Sequence, residues 1–199
     1  MSKRAFDLVA ALLGLILLSP LLLLVALLIK LDSSGPVFFR QERIGKGFCP
    51  FRIYKFRTMI HDAHRRGGAI TFGADPRITR LGQVLRKTKV DELPQLLNVL
   101  RGEMSFVGPR PEVRPYVEFF RQDYEEILQV IPGITDLASV KYRHEADLLG
   151  QFDDPQAAYI KHILPEKIKL AKEYVRRSSF FFDMTLILKT LLKLILHSN

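Results

Sequence analysis

Asp91 and Glu92 stand side by side among Arg86, Lys87, Lys89 and Arg101. Adjacent carboxylates in basic surroundings suit chemistry on a phosphate. A carboxylate supplies a nucleophile or a metal ligand, and the cations offset the charge of an anionic substrate. The pair sits where a helix should begin. Leu93, Leu96, Leu97 and Leu100 recur at three and four residues, and Gly102 supplies a stop. Pro94 fits only a first turn, where its missing N–H has no intrahelical partner, so the start falls near Asp91 and the free backbone N–H groups there favour anions. Asp is also a favoured N-cap, so from these residues alone capping stands beside catalysis as a reading of Asp91.

Other cations come from elements that must be brought to this helix. Val37 to Arg43 and Phe48 to Met59 are aromatic-rich and β-branched and flank Gly45-Lys46-Gly47, which reads as a β-hairpin. Strand parity puts Lys55 and Arg57 on the face of Phe51, Ile53 and Met59; solvated edge cations are the plainer alternative. The segment from Pro76 to Lys89 reads as a helix that carries Arg86 up to the acidic pair. Arg110 lies between Pro109 and Pro111, which fix the backbone around it and suit a guanidinium presented to an oxyanion, or simply a rigid loop. Glu112 to Val130 reads as one amphipathic helix, and Ile134 to Tyr142 as an extended segment delivering Arg143, His144 and Glu145. Asp153-Asp154-Pro155 opens a further helix. His61 and His64 share helical spacing but have only Asp62 nearby, a poor metal set, and a single cysteine, Cys49, leaves no internal disulfide.

The chain has 199 residues, a net charge of +9 and a pI near 9.8, so its partner should be anionic: a lipid surface, nucleic acid or a phosphorylated small molecule. From Leu8 to Ile29 there is no charge, and a helix of that length reaches about 33 Å, enough for the hydrocarbon core. Lys3 and Arg4 precede the run, and Lys30, Arg40, Arg43 and Lys46 follow it, so both flanks are drawn to the cytoplasm. A re-entrant turn at Ser19-Pro20 satisfies both, and a kinked single span stands as the alternative. Phe180 to His197 is apolar, with Lys189 and Lys193 on one face, and resembles an interfacial helix; core packing or a homodimer contact would use the same pattern. The expected fold class is α+β and mainly helical, with one small β-hairpin.

Taken in order, the Ser-Pro-broken apolar run, Tyr54-Lys55-Phe56-Arg57-Thr58-Met59, Asp91-Glu92-Leu93-Pro94-Gln95-Leu96-Leu97-Asn98-Val99-Leu100, Gly108-Pro109-Arg110-Pro111 and Pro132-Gly133-Ile134-Thr135 closely resemble the bacterial sugar transferase family, the monotopic phosphoglycosyl transferases. The resemblance implies a re-entrant anchor at 1–32, broken at Ser19 and Pro20, and a membrane-associated catalytic domain at 33–199 on the cytoplasmic face of the bacterial inner membrane. It implies transfer of a sugar 1-phosphate from a nucleotide sugar, usually a UDP-sugar, to undecaprenyl phosphate, with Mg2+ as cofactor, and no nucleic-acid partner. Asp91 matches the family nucleophile, which forms a covalent phosphosugar intermediate; with Glu92 it matches the catalytic dyad, in which Asp91 and Glu92 are the candidate metal ligands and Glu92 either completes the metal site or manages a proton. Lys55, Arg57, Arg86, Arg110 and Arg143 are the cations expected around the diphosphate. Two departures stand out: Asp136 replaces a common family glycine, and Lys141-Tyr142-Arg143 replaces Asn-Gly-Arg. A non-enzymatic basic membrane anchor remains the reading from a different class; it leaves unexplained why two acids sit inside the basic cluster.

Overall fold

A computed structural model describes residues 3–63, 75–142 and 145–196. Its first element, α1 (Lys3–Asp32), is the one described helix long and apolar enough to cross a membrane. Both halves of α1, on either side of Pro20, are seated on the same globular body. Ala11, Leu15 and Leu18 pack against Leu96, Val99 and Met104, and Leu22, Val25 and Ile29 pack against Phe56 and Leu85. The opposite face, Leu17 (76 % exposed) and Leu23 (71 %) included, is apolar and uncovered. Polar groups fasten the ends. Arg4 donates to the carbonyls of Val99 (2.6 Å) and Leu100 (3.0 Å), and Lys30 donates to the Gly35 carbonyl at 2.9 Å. At Pro20 the missing N–H would orphan the carbonyl of Ile16, and the Ser19 hydroxyl donates to that oxygen at 2.8 Å.

The hairpin forms as its sequence predicts. β1 (Phe38–Ile44) pairs antiparallel with β2 (Pro50–Phe56), with Phe38 opposite Phe56 and Ile44 opposite Pro50. The connection is a short 3-10 turn, Lys46–Phe48, in which Gly47 and Phe48 both take positive φ. α2 (Arg80–Thr88) starts later than the sequence suggests, because Thr79 supplies the N-cap, accepting from the Gly82 N–H, and Asp75 and Arg77 pair with each other in the turn before it. Lys89 in the left-handed region then breaks the chain into the 3-10 stretch Val90–Gln95, which leads into α3 (Leu96–Arg101). The leucine-rich helix therefore begins as 3-10, with Pro94 inside that stretch, and ends at Gly102 (φ 82°).

The sequence pattern did not reveal the second sheet, in which β3 (Ser105–Val107) runs parallel to β4 (Gly133–Thr135). The stretch between them is two helices, α4 (Arg114–Phe119) and α5 (Arg121–Ile127), broken at Phe120, not one. After β4 the chain is not extended: Asp136 caps α6 (Leu137–Lys141), followed by α7 (Glu145–Leu149). α8 (Pro155–Ala158), capped by Asp154, passes through a π turn into α9 (Leu164–Arg177), and α10 (Phe180–Leu196) closes the fold. The largest core cluster lies between α4, α5 and α9, around Val117, Tyr124, Leu149 and Leu164. Arg143, His64 and His144 lie outside the described residues.

Candidate active site

The 3-10 stretch packs against β2, and this contact makes the site. Lys55, on the Phe51–Ile53 face of β2, donates to Glu92 Oε1 at 2.8 Å. Arg110 takes both oxygens of the same carboxylate, through Nη2 to Oε1 and through Nη1 to Oε2 at 3.3 Å. Burial opposes the Glu92 charge, but Arg110 and Lys55 outweigh it and hold this carboxyl well below the usual range. Glu92 in turn raises the Arg110 guanidinium further. Burial is the main influence on Lys55 and pulls its ammonium down, with Glu92 opposing.

Asp91 is treated differently by its surroundings. Its side chain is 7 % exposed, caps no helix, and has a buried Oδ1 with no hydrogen-bond partner. The capping alternative therefore falls away. Burial pushes the Asp91 carboxyl above its ordinary range and the neighbouring Glu92 charge adds to this, while Lys55, Lys89 and Arg86 pull the other way. The pair is thus divided into one compensated anion and one bare, more basic carboxylate.

Arg86 reaches the site because Gly82 lets α2 sit directly on the strand exit; a Cβ there would lie 2.0 Å from the Thr58 carbonyl. Its Nε then donates to Thr58 Oγ1 at 2.8 Å, with Asp91 within its field. Arg110 is held by a crossing of two backbones. Gly108 N–H donates to Thr135 O (3.1 Å) and Gly133 N–H to Pro109 O (3.0 Å), and a Cβ on Gly133 would stand 2.0 Å from the Gly108 nitrogen. The Arg110 N–H donates to Asp136 Oδ2 at 3.3 Å, and Asp136 Oδ1 accepts from Ser139 N at 2.6 Å. Asp136, one of the two departures, therefore acts as both a helix cap and a backbone anchor for Arg110.

Lys55, Arg57, Arg86, Asp91, Glu92 and Arg110 all line one open cleft of about 1630 Å³. Arg57 is there in another capacity. Its Nη groups donate to the carbonyls of Ile29, Ser33 and Ser34, clamping the exit of α1. Ser19 and Pro20 lie in α1, outside the cleft lining. Two residues were missed. Asn98 accepts from the Tyr54 N–H at 3.0 Å and donates to the Arg52 carbonyl at 2.8 Å, so its amide serves as one residue of extra strand along β2. Gln95 is fully buried with neither amide atom partnered. The signal was present: Asp91, Gln95 and Asn98 are spaced four and three in a leucine-rich segment, one polar stripe on one helical face.

Among the described residues no group of three His, Cys, Asp or Glu gathers as a metal cage. A hard cation does fit the orphaned Asp91 oxygen, because Mg2+ is commonly held by one or two carboxylates with substrate phosphates and water completing the shell. Glu92 has both oxygens taken by Lys55 and Arg110.

A cleft that gathers Lys55, Arg86 and Arg110 around one bare and one compensated carboxylate has the chemistry to take an anionic ligand. The chain belongs to the bacterial sugar transferase family, whose sequence profile matches residues 1–197. It is 41 % identical over 194 residues to the UDP-N-acetylgalactosamine-undecaprenyl-phosphate N-acetylgalactosaminephosphotransferase of Aeromonas hydrophila, covering 95 % of this chain and 42 % of that protein. It is 40 % identical over 200 residues to the UDP-glucose:undecaprenyl-phosphate glucose-1-phosphate transferase of Caulobacter vibrioides, covering 99 % and 71 %. The exopolysaccharide production protein PSS of Rhizobium leguminosarum is 43 % identical over 197 residues, covering 94 % and 92 %. The chain thus spans less than half of the Aeromonas relative and nearly all of the Rhizobium one.

Proposed function

We propose that this chain transfers a sugar 1-phosphate from a UDP-sugar to undecaprenyl phosphate by two displacements at Asp91. The observation that carries the reading is the bare Asp91 carboxylate, buried on the wall of a cleft that also holds Lys55, Arg86 and Arg110. An Asp91 oxygen attacks the sugar-bearing phosphorus, the bond from that phosphorus to the bridging oxygen breaks, and UMP leaves with the electron pair. The sugar phosphate is then an acyl phosphate on Asp91. A phosphate oxygen of the acceptor attacks the same phosphorus, and Asp91 departs as carboxylate, leaving a polyprenyl diphosphate sugar. Its raised proton affinity makes Asp91 a better nucleophile once ionised.

Glu92 holds Lys55 and Arg110 at the diphosphate without taking part in bond-making. Arg86 reinforces the positive field, and Arg57 acts through the α1 exit. Mg2+ would be held by Asp91 with the donor's own phosphate oxygens, and when bound it supplies neutralising charge to the diphosphate.

The anchor is monotopic in this proposal, re-entering at Ser19-Pro20 with the catalytic body on the cytoplasmic face. Two observations support it. Arg4 near the start of α1 donates to the Val99 and Leu100 carbonyls and Arg57 donates to the Ile29 carbonyl near its end, so both ends rest on one body, in keeping with a re-entrant anchor. The Ser19 hydroxyl satisfies the carbonyl that Pro20 would leave bare, so the backbone can turn in lipid without an orphaned acceptor. The test mixes the protein, Mg2+ and undecaprenyl phosphate with a panel of UDP-sugars and reads UMP. One sugar nucleotide should release it and Asp91→Asn should abolish the release; full turnover in Asp91→Asn refutes the assignment.

A further inference from the structure

The donor in the reaction just proposed is polar from end to end, yet the cleft has an apolar wall. Phe106, Ile134, Ile187 and Leu191 line the same space as Asp91 and Arg110. This wall begins where the cationic site ends, because the Ile134 carbonyl itself accepts from Arg110 Nη1 at 3.4 Å. α10 forms its far side and is fixed there by a hydrogen bond of 2.9 Å between the hydroxyls of Thr190 and Thr135, and by Leu186 buried in a cluster with Val107 and Tyr174. Around that anchor Leu188, Leu191 and Leu192 are exposed, so apolar surface continues from the wall onto the outer side of α10, beside the exposed Lys189.

The start of α1 is joined to the same strand and helix. Phe6 lies edge-on to Phe106 at 6.1 Å and to Phe180 at 5.8 Å, joining α1 to β3 and to the first turn of α10. Lys3 bonds the Val107 carbonyl, the Tyr174 hydroxyl and Asp183, and Tyr174 donates to Asp183 Oδ1 at 2.8 Å. α1, β3 and α10 are therefore tied to one another through Lys3 and the buried Asp183 by charge-assisted bonds.

We propose that the isoprenoid tail of a polyprenyl phosphate lies in the seam between α10 and the β3–β4 pair, against Phe106, Ile134, Ile187 and Leu191, with its phosphate at Arg110. The inference rests on the proposed function and adds to it the acceptor's route from the lipid phase. A ligand with an anionic head and a long apolar tail matches a guanidinium followed directly by an apolar seam. A nucleotide or free phosphate has nothing to place in the seam, and a phospholipid acyl chain is the competing occupant.

The experiment reconstitutes the full chain in phosphatidylglycerol nanodiscs and irradiates it with a polyprenyl phosphate bearing a photoreactive isoprene unit; adducts are mapped by mass spectrometry. Adducts at Phe106, Ile134, Ile187 or Leu191 that are displaced by undecaprenyl phosphate, but not by undecaprenol or excess phospholipid, support the proposal. Adducts confined to the outward face of α1, or displaced equally by phospholipid, overturn it. Site-specific labelling without sugar transfer would retain the seam and refute the activity, and transfer without such labelling would do the reverse. As a second arm, Ile187→Ala/Leu191→Ala should raise the acceptor KM about tenfold with little change in the donor KM, since buried methyl and methylene contacts are lost. Leu23→Ala, on the outward face of α1 and outside the cleft lining, should not raise it; equal effects from both would show a general loss of membrane contact and overturn the seam.

Discussion

Replacing Glu92 with Gln removes one negative charge that two cations share. Lys55 and Glu92 side chains are 19 % and 14 % exposed and meet at 2.8 Å, and Arg110, 33 % exposed, binds the same carboxylate. Removing one partner of a buried pair costs roughly 3–5 kcal/mol; Arg110 is partly solvated and Lys55 can shed its proton, so the lower end, about 3 kcal/mol, applies. For a chain of this size that is a fall in Tm of roughly 6–12 °C, read by circular dichroism at fixed scan rate in detergent. The pH dependence carries a sign. Burial already lowers the Lys55 pKa, and Glu92 opposes that lowering. In Glu92→Gln the folded-state pKa falls further below the unfolded value. Between those two values the unfolded chain binds more protons, so the variant's stability rises with pH and its deficit shrinks as pH climbs towards the ordinary lysine range. Added phosphate should stabilise Glu92→Gln more than the wild-type chain, because it replaces the lost anion. A variant melting within about a degree of wild type, with no pH trend, would refute the shared-charge account.

The Asn98 amide makes three bonds, to Tyr54 N, Arg52 O and Glu103 Oε2, so Asn98→Ala should destabilise by about 3 kcal/mol in chemical denaturation. Gly133→Ala would set a Cβ 2.0 Å from the Gly108 nitrogen, and it should lower activity by displacing Arg110 as well as costing about 3 kcal/mol or more. Acceptor-free UMP release should fail, as pH is lowered, at a value above that of an ordinary aspartate, since burial and then Glu92 raise the Asp91 carboxyl. Whatever activity Glu92→Gln retains should have that acid limb moved downward, and rapid-quench rates across pH check both.

Residue types and spacing exposed much of this site because local rules govern it. The hairpin followed from Gly45-Lys46-Gly47 between aromatic runs, the stop of α3 from Gly102, and the acid pair from its basic neighbours. What stayed hidden depends on contacts between distant segments. β3 and β4 are three residues each and about thirty apart, too short for any periodicity, and only the meeting of Gly108 with Gly133 makes them a pair. The break of α4 from α5 at Phe120 likewise has no glycine or proline to announce it. Arg57 is the instructive case: strand parity carried it towards the phosphate, but β2 ends at Phe56, and the carbonyls at the end of α1 claimed its donors instead. Chemically, Asp91 and Glu92 are near twins in the sequence. Their division into bare and compensated carboxylates appears only once Lys55 and Arg110 arrive from two other elements.

The central claim is that Asp91 itself carries the sugar phosphate between donor and acceptor. Intact-protein and peptide mass spectrometry after incubation with the preferred UDP-sugar and no acceptor tests it most directly. The account predicts a sugar-phosphate adduct on Asp91, stoichiometric UMP, loss of the adduct on adding undecaprenyl phosphate, and none in Asp91→Asn. UMP appearing only when acceptor is present, or an adduct on another side chain, would contradict it.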